Sequence, residues 1–354
     1  MKRYVIFLIV LFFVSCGRWK VSGLKPYKLC ELNNGSEPGE LAITYGDDQL
    51  LNLTFNIRVH QGNIFILDNV LNRIQILEKD GSPLHIIGIK DRKSLLDEDV
   101  IFSHFQFSIL GSLTVDSKGN IYVQNRFKPS RKSRKNRNRG LDFSPSYILV
   151  FNKNGNLQYT LGQKGSPDFP FYYIENQEID NKDRLFIISR SFDKWSVFRF
   201  NKRKRDFYIN LGEIAFKETE NDEVYIGRIE NIKIYQSGLK FLIAVAYYHN
   251  ADFKYRKIYV YSIKDRMIEN TILNIPDPNN ELFTMINDKH IYLWDVDNKT
   301  IKFIICNTKG DIINNILLKI PKKNASFENI FIDELGKFYT FHVMKKSVEM
   351  FGWK

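Results

Sequence analysis

Short apolar runs rich in β-branched and aromatic residues recur along the chain, broken by polar turn residues. The clearest unit reads Gly62-Asn63-Ile64-Phe65-Ile66-Leu67-Asp68, then Asn72-Arg73-Ile74-Gln75-Ile76-Leu77, then the turn Lys79-Asp80-Gly81-Ser82 and an apolar run at 84–88. A second begins Leu113-Thr114-Val115-Asp116-Ser117-Lys118-Gly119-Asn120-Ile121-Tyr122-Val123 and resumes after an insertion at 147–162. Further copies occupy 179–212, 232–275, 283–320 and 330–351. Runs of four to eight such residues between turn signals predict strands rather than helices. Asn-Gly and Asp-Gly pairs mark tight hairpins. The first turns fall near 62, 119, 183, 238, 288 and 336, so each copy holds about four short strands. That repeat predicts an all-β fold, a six-bladed β-propeller with insertions. The last copy supplies three strands and no fourth. A segment near the N-terminus, 27–32 or 41–45, is expected to complete it and remove an unpaired blade edge.

The stretch Val115-Asp116-Ser117-Lys118-Gly119-Asn120-Ile121-Tyr122-Val123 resembles the first hairpin of NHL-type propeller repeats. Asp68 followed by Asn72-Arg73-Ile74-Gln75 resembles its second half, with Asn72 where that family usually carries His. The resemblance spans residues 40–354 and implies six blades. It implies little about activity, because the fold hosts both enzymes and binding modules.

The N-terminus has a different pattern. Met1-Lys2-Arg3 precedes eleven apolar residues, 4–14, and Ser15-Cys16-Gly17 closes the run. A charged start, an apolar stretch and a small-residue end are the layout of a secretory signal. Eleven residues rise about 16 Å as a helix, half a bilayer core, which is too short for a stable span. The cysteine makes the layout similar to a bacterial lipoprotein signal, although Phe13 and Val14 depart from the usual Leu and small residue. The resemblance implies cleavage before Cys16 and acylation of its thiol. The expected organisation is a signal peptide at 1–15, a lipidated tether at 16–26 and the propeller at 27–354.

The formal charge is +12, falling to +10 once Lys2 and Arg3 are removed with the signal. Such a balance favours anionic partners, and export turns that preference toward lipid head groups and acidic proteins, with no nucleic acid. Much of the excess lies in the insertion at 126–139. It carries Arg126, Lys128, Arg131, Lys132, Arg134, Lys135, Arg137 and Arg139 with no acid. Mutual repulsion predicts an extended loop that contacts an anionic membrane or partner, or else is simply solvated. The short basic run at 202–205 reads as an ordinary hairpin tip. Besides Cys16, Cys30 and Cys306 remain, far apart and without metal-type spacing, and read as two buried thiols or a pair.

Candidate chemistry is sparse. The chain has no Gly-x-Ser-x-Gly, His-Glu-x-x-His, P-loop or Cys-x-x-Cys. His60, His85, His104, His249, His290 and His342 are scattered. Asp68, Asp116, Asp180, Asp295 and Asp333 are the carboxylates that strand ends would bring toward a channel. Asp116, Asp180 and Asp333, however, sit in first-hairpin turns, where Asp bonds its own backbone. Asp295-Val296-Asp297-Asn298 lacks the Gly and Glu of a calcium loop. The reading is therefore no catalytic residue, no metal and no cofactor. The pairing of lipid anchor and propeller resembles spirochaete-type propeller lipoproteins. It is also similar in layout to the propeller lipoprotein of the outer-membrane barrel assembly machine. This implies a scaffold for envelope proteins, on the periplasmic face of the outer membrane or at the cell surface. Its expected partners are the barrel insertase and companion lipoproteins. A calcium-dependent, lactonase-like hydrolase and a surface adhesin or ligand sensor are the alternatives.

Overall fold

The computed structural model describes residues 21–46, 49–50, 56–89, 99–126, 146–162, 171, 173–191, 194–297, 300–319 and 327–354. One 3-10 turn, Leu211–Glu213, is the helical element among them; the rest is strand and turn. The strands form six radial sheets and a two-stranded ribbon, Tyr45–Gly46 with Gln49–Leu50. Blade 1 comprises Asn56–His60, Asn63–Asp68, Arg73–Leu77 and Pro83–Gly88, with Ile101–His104 added in parallel at its rim. Blade 2 comprises Ile109–Val115, Ile121–Arg126, Ser146–Phe151 and Leu157–Leu161; blade 3 comprises Tyr173–Ile179, Leu185–Ser191, Lys194–Asn201 and Lys204–Asn210. Blade 4 runs Glu223–Ile234, Lys240–His249, Asp252–Ser262 and Met267–Ile275. Blade 5 runs Glu281–Ile286, His290–Asp297, Thr300–Cys306 and Ile312–Lys319. Blade 6 has three strands from the C-terminus, Phe327–Ile332, Phe338–Val343 and Ser347–Trp353. Its outer strand is the N-terminal Pro26–Asn33. The six-bladed β-propeller expected from the turn spacing is the observed fold.

The near-continuous apolar runs follow from this geometry. A blade is sandwiched between two others, so both faces of its middle strands are buried. Ile64 and Ile66 pack toward blade 6, whereas the intervening Phe65 and Leu67 pack toward blade 2. Phe241, Ile243 and Val245 face blade 3, and Leu242 and Ala244 face blade 5. The hydrophobic core is accordingly six clusters, one at each blade–blade contact. Innermost strands alternate instead, because one face borders the channel: in Asn56–His60 the buried Ile57 and Val59 alternate with half-buried Asn56, Arg58 and His60.

Closure uses the first of the two candidate segments. Residues 27–32 lie within Pro26–Asn33, where Cys30 and Leu32 enter the core against Val348 and Met350. Burying a leucine such as Leu32 contributes about 1.5–3 kcal/mol. Residues 41–45 do not close the ring; Leu41 packs, fully buried, into the same cluster. Buried Arg73 holds the intervening turn by donating to the carbonyls of Ser36, Glu37 and Glu40 at 2.6, 3.0 and 2.8 Å. The segment read as a tether contains a strand, Val21–Leu24, which pairs in parallel with the outer strand of blade 5. Cys30 and Cys306 are free and buried in different clusters, and burial pushes both thiols up to about 11.

Blade 4 departs from the others. Its four main strands are 12, 10, 11 and 9 residues long, and an extra strand, Lys217–Glu220, pairs with the start of the inner one. The added length lies on the side of the second hairpins, away from the first-hairpin turns.

Candidate functional site

The inner strands enclose a cavity of about 670 Å³ that opens toward the first-hairpin turns. The turn aspartates are structural. Asp116 accepts from the amides of Lys118 and Asn120, from Asn120 Nδ2 and from the Tyr122 hydroxyl, at 2.8–3.2 Å. Asp333 repeats this with Leu335, Lys337 and Tyr339, and Asp180 with Lys182 and Arg184. Asp68 caps its own turn through Val70 and Leu71 and lies 3.6 Å from Arg73 Nε. Asp295 lies in a strand opposite Lys302, and Asn298 falls outside the described residues.

Turns also bind each other around the mouth. Asp183 accepts from the amide and hydroxyl of Ser117 at 3.0 and 2.9 Å, joining blades 3 and 2. Asp288 accepts from the amides of Gln236 and Ser237, joining blades 5 and 4. His60 Nδ1 lies 3.3 Å from Glu334, joining blades 1 and 6, and this contact holds the Glu334 carboxyl below its ordinary value. Gly238, at φ +63°, passes so close to Asp180 that an added Cβ would lie 1.9 Å from Oδ2.

Deeper in the cavity three charged side chains converge from blades 1, 3 and 4: Arg58, Glu178 and Lys233. Arg58 and Lys233 sit on inner strands between apolar neighbours that point the other way, Ile57 and Val59 and Ile232 and Ile234, and Glu178 sits between Gln177 and Ile179. Glu178 is tightly held. Its Oε1 accepts from Asn176 Nδ2 at 2.5 Å, and its Oε2 accepts from the Ile234 amide at 3.1 Å. Lys233 Nζ lies 3.8 Å from Glu178, beyond hydrogen-bond length. Arg58 donates from Nη1 to the Ile57 carbonyl at 3.0 Å. Burial pushes the Lys233 ammonium below its ordinary value; Glu178 opposes this and the charge of Arg58 adds to it. Burial likewise lowers Arg58, again opposed by Glu178. Both cations keep part of their surface accessible, and that surface borders the cavity.

The remaining candidates do not converge. Arg126 ends a strand of blade 2, with its guanidinium 5.8 Å from the centre of the Tyr173 ring. It is therefore framework rather than loop. Lys128, Arg131, Lys132, Arg134, Lys135, Arg137 and Arg139 lie outside the described residues, as does Cys16. His85 is buried against Ser103 at 2.9 Å, and His342 lies 3.2 Å from Thr340. His249 is at the tip of blade 4, and His104 and His290 are strand ends. Among the described residues no three metal-ligating side chains cluster. Arg203, in the basic hairpin tip, donates to the Gln158 carbonyl at 2.9 Å.

Sequence reasoning looked for Asp and His at strand ends and missed Arg58, Glu178 and Lys233. The signal was present: in an inner strand, the polar residues of an alternating run face the channel.

The chain matches no family model and no curated relative. It is similar to several solved propellers. With the Dos1 propeller it shares 10% identity at a TM-score of 0.45, over 93% of this chain and 95% of that one. With the C-terminal WD40 domain of Sif2 the values are 10% and 0.42, over 94% and 99%. With a gluconolactonase of Xanthomonas campestris they are 11% and 0.44, over 92% and 97%. Likenesses at this level carry no residue from those proteins to this one. Its own sheet topology is what classifies the chain, as a six-bladed β-propeller.

Proposed function

We propose that the protein is a lipid-anchored scaffold of a bacterial cell envelope, docking an envelope protein through its projecting fourth blade. The observation that supports this most is the exposed strip on that blade. Val224 and Ile226 are 39% and 58% exposed, and Arg228 beside them stacks 5.3 Å over the Tyr248 ring. Apolar, aromatic and arginine side chains in one patch are the composition of protein interfaces. The patch is rigid, because Glu218 clamps the added strand onto the blade. It accepts from Lys257, Tyr255 and Tyr259 at 2.6–3.1 Å.

An acylated Cys16 is the anchor in this reading. Five peptide steps separate Cys16 from Val21, a reach of about 17 Å at full extension. The rim at blades 5 and 6, where Val21–Leu24 pairs, would then rest near the membrane. Lys128, Arg131, Lys132, Arg134, Lys135, Arg137 and Arg139 would add about 1 kcal/mol each against anionic head groups. The partner on this reading is the periplasmic part of an outer-membrane barrel insertase or a companion lipoprotein. The chain would act as a binding module rather than an enzyme. A calcium-dependent hydrolase is disfavoured because Arg58 and Lys233 would repel a divalent cation in the channel.

A photo-crosslinking residue at Ile226, with Leu335 on the opposite side as control, tests the reading in intact cells. Affinity purification and mass spectrometry should recover a barrel-assembly protein from Ile226 and not from Leu335. Ile226→Asp in the crosslinkable background at Val224 should cut recovery at least fivefold. Equal recovery from both positions, or none from Ile226 in a membrane-bound chain, would overturn it.

A further inference from the structure

We infer that the central channel is a binding site for a small oxyanion, a carboxylate or phosphate group held between Arg58 and Lys233. The cavity's volume of about 670 Å³ lies within the range of small-molecule sites. Deep in the cavity two cations, Arg58 and Lys233, face one carboxylate, Glu178, while Asp180, Asp183, Asp333 and Glu334 line it nearer the turns. Glu178 is already committed, since both its oxygens accept hydrogen bonds from Asn176 and the Ile234 amide. Lys233 carries three N–H donors, yet Glu178 Oε1 stands 3.8 Å away. Arg58 carries five donors in a planar fork that fits an oxyanion with two oxygens.

Two cations brought together at partial burial repel each other, and an anion between them removes that cost. The neighbouring carboxylates do not supply it. Glu334 is engaged with His60, Asp180 with Arg184 and Asp183 with Lys118, Asp333 caps its own turn, and Glu175, 4.0 Å from Arg190, reaches Lys233 only through its field. Asn56, Asn329 and Thr284 line the same cavity and add donors around the site. On the side of blades 5 and 6 the half-buried Phe283 and Ile332 line the cavity beside Thr284 and Asn329, while Ile286 and Ile330 are turned into the core. A small organic acid, a phosphate ester and inorganic phosphate all present the oxyanion that the two cations would take. This inference is independent of the partner proposed for blade 4, which lies on the other side of the ring.

Titration calorimetry at fixed ionic strength, with inorganic phosphate, succinate and uncharged succinamide as probes, tests it. Phosphate or succinate should bind saturably with one site per chain, and succinamide should not. Binding of phosphate alone would assign the site to free phosphate, and tighter succinate binding to organic acids. Arg58→Met and Lys233→Met should each weaken binding at least tenfold. Glu178→Gln keeps the Asn176 contact and removes the competing charge, so it should tighten binding at least threefold. That gain separates a binding site from a structural ion pair, whose disruption would tighten nothing. No saturable heat with either anion, or unchanged affinity in folded Arg58→Met and Glu178→Gln chains, would overturn the inference.

Discussion

At the residue scale, a few buried polar side chains fix the turns from which the ring is built. Asp116 is 2% exposed and satisfies two amides, one side-chain amide and one hydroxyl. Its removal leaves the buried Tyr122 hydroxyl and three turn donors without their acceptor, so Asp116→Ala should cost about 2–4 kcal/mol, read as a lower urea midpoint at unchanged m. His85 offers a pH-dependent counterpart. Burial pushes its imidazole below the ordinary 6.5, so the unfolded chain takes up the proton more readily. Its contribution to stability is full above that value and declines as pH falls through it toward the folded value. His85→Asn should therefore flatten the loss of urea midpoint between about pH 7 and pH 5, whatever it does to the midpoint itself. The turn aspartates were legible because Asp three residues before Gly or its equivalent is local chemistry. Arg58, Glu178 and Lys233 were not, because their meeting depends on how three distant strands are arranged around an axis.

At the element scale, the repeat showed in the sequence because every blade buries both faces of its middle strands, which leaves apolar runs too dense to miss. Strands without that burial were hidden. Lys217–Glu220 is exposed or half-buried along its length, and Ile101–His104 is accessible throughout, so neither carries an apolar signature. Val21–Leu24 was hidden in the stretch after the cysteine, where a tether was the simpler reading. The closing strand was foreseen as one of two segments, since both carry the same short apolar pattern and only pairing decides between them. Its register invites a direct check. Cys30 and Met350 are opposed Cα partners, and both side chains lie in the same core cluster. Opposed residues of antiparallel strands stand about 4.5–5.5 Å apart, within reach of a disulfide. Met350→Cys should oxidise to an intramolecular crosslink with Cys30. The oxidised variant should be more stable than its own reduced form by about 3–5 kcal/mol, measured by paired thermal melts with and without reductant. A variant that stays reduced under oxidant would mean another register.

At the scale of the whole molecule, the ring has two unlike sides. Acidic and amide side chains stitch the first-hairpin turns together around the cavity mouth. From the other side rise the lengthened strands of blade 4 and the junction between Arg126 and Ser146 where the basic insertion begins. A ligand in the channel and a protein on blade 4 would thus approach from opposite directions. The ring's closure also has a consequence in time. Pro26–Asn33 is made long before its partner, Ser347–Trp353. Until Ser347–Trp353 is made, Pro26–Asn33 lacks its partner strand and blade 6 is incomplete. Closure of the ring must therefore wait for the strand Ser347–Trp353, and contacts this remote in sequence form slowly.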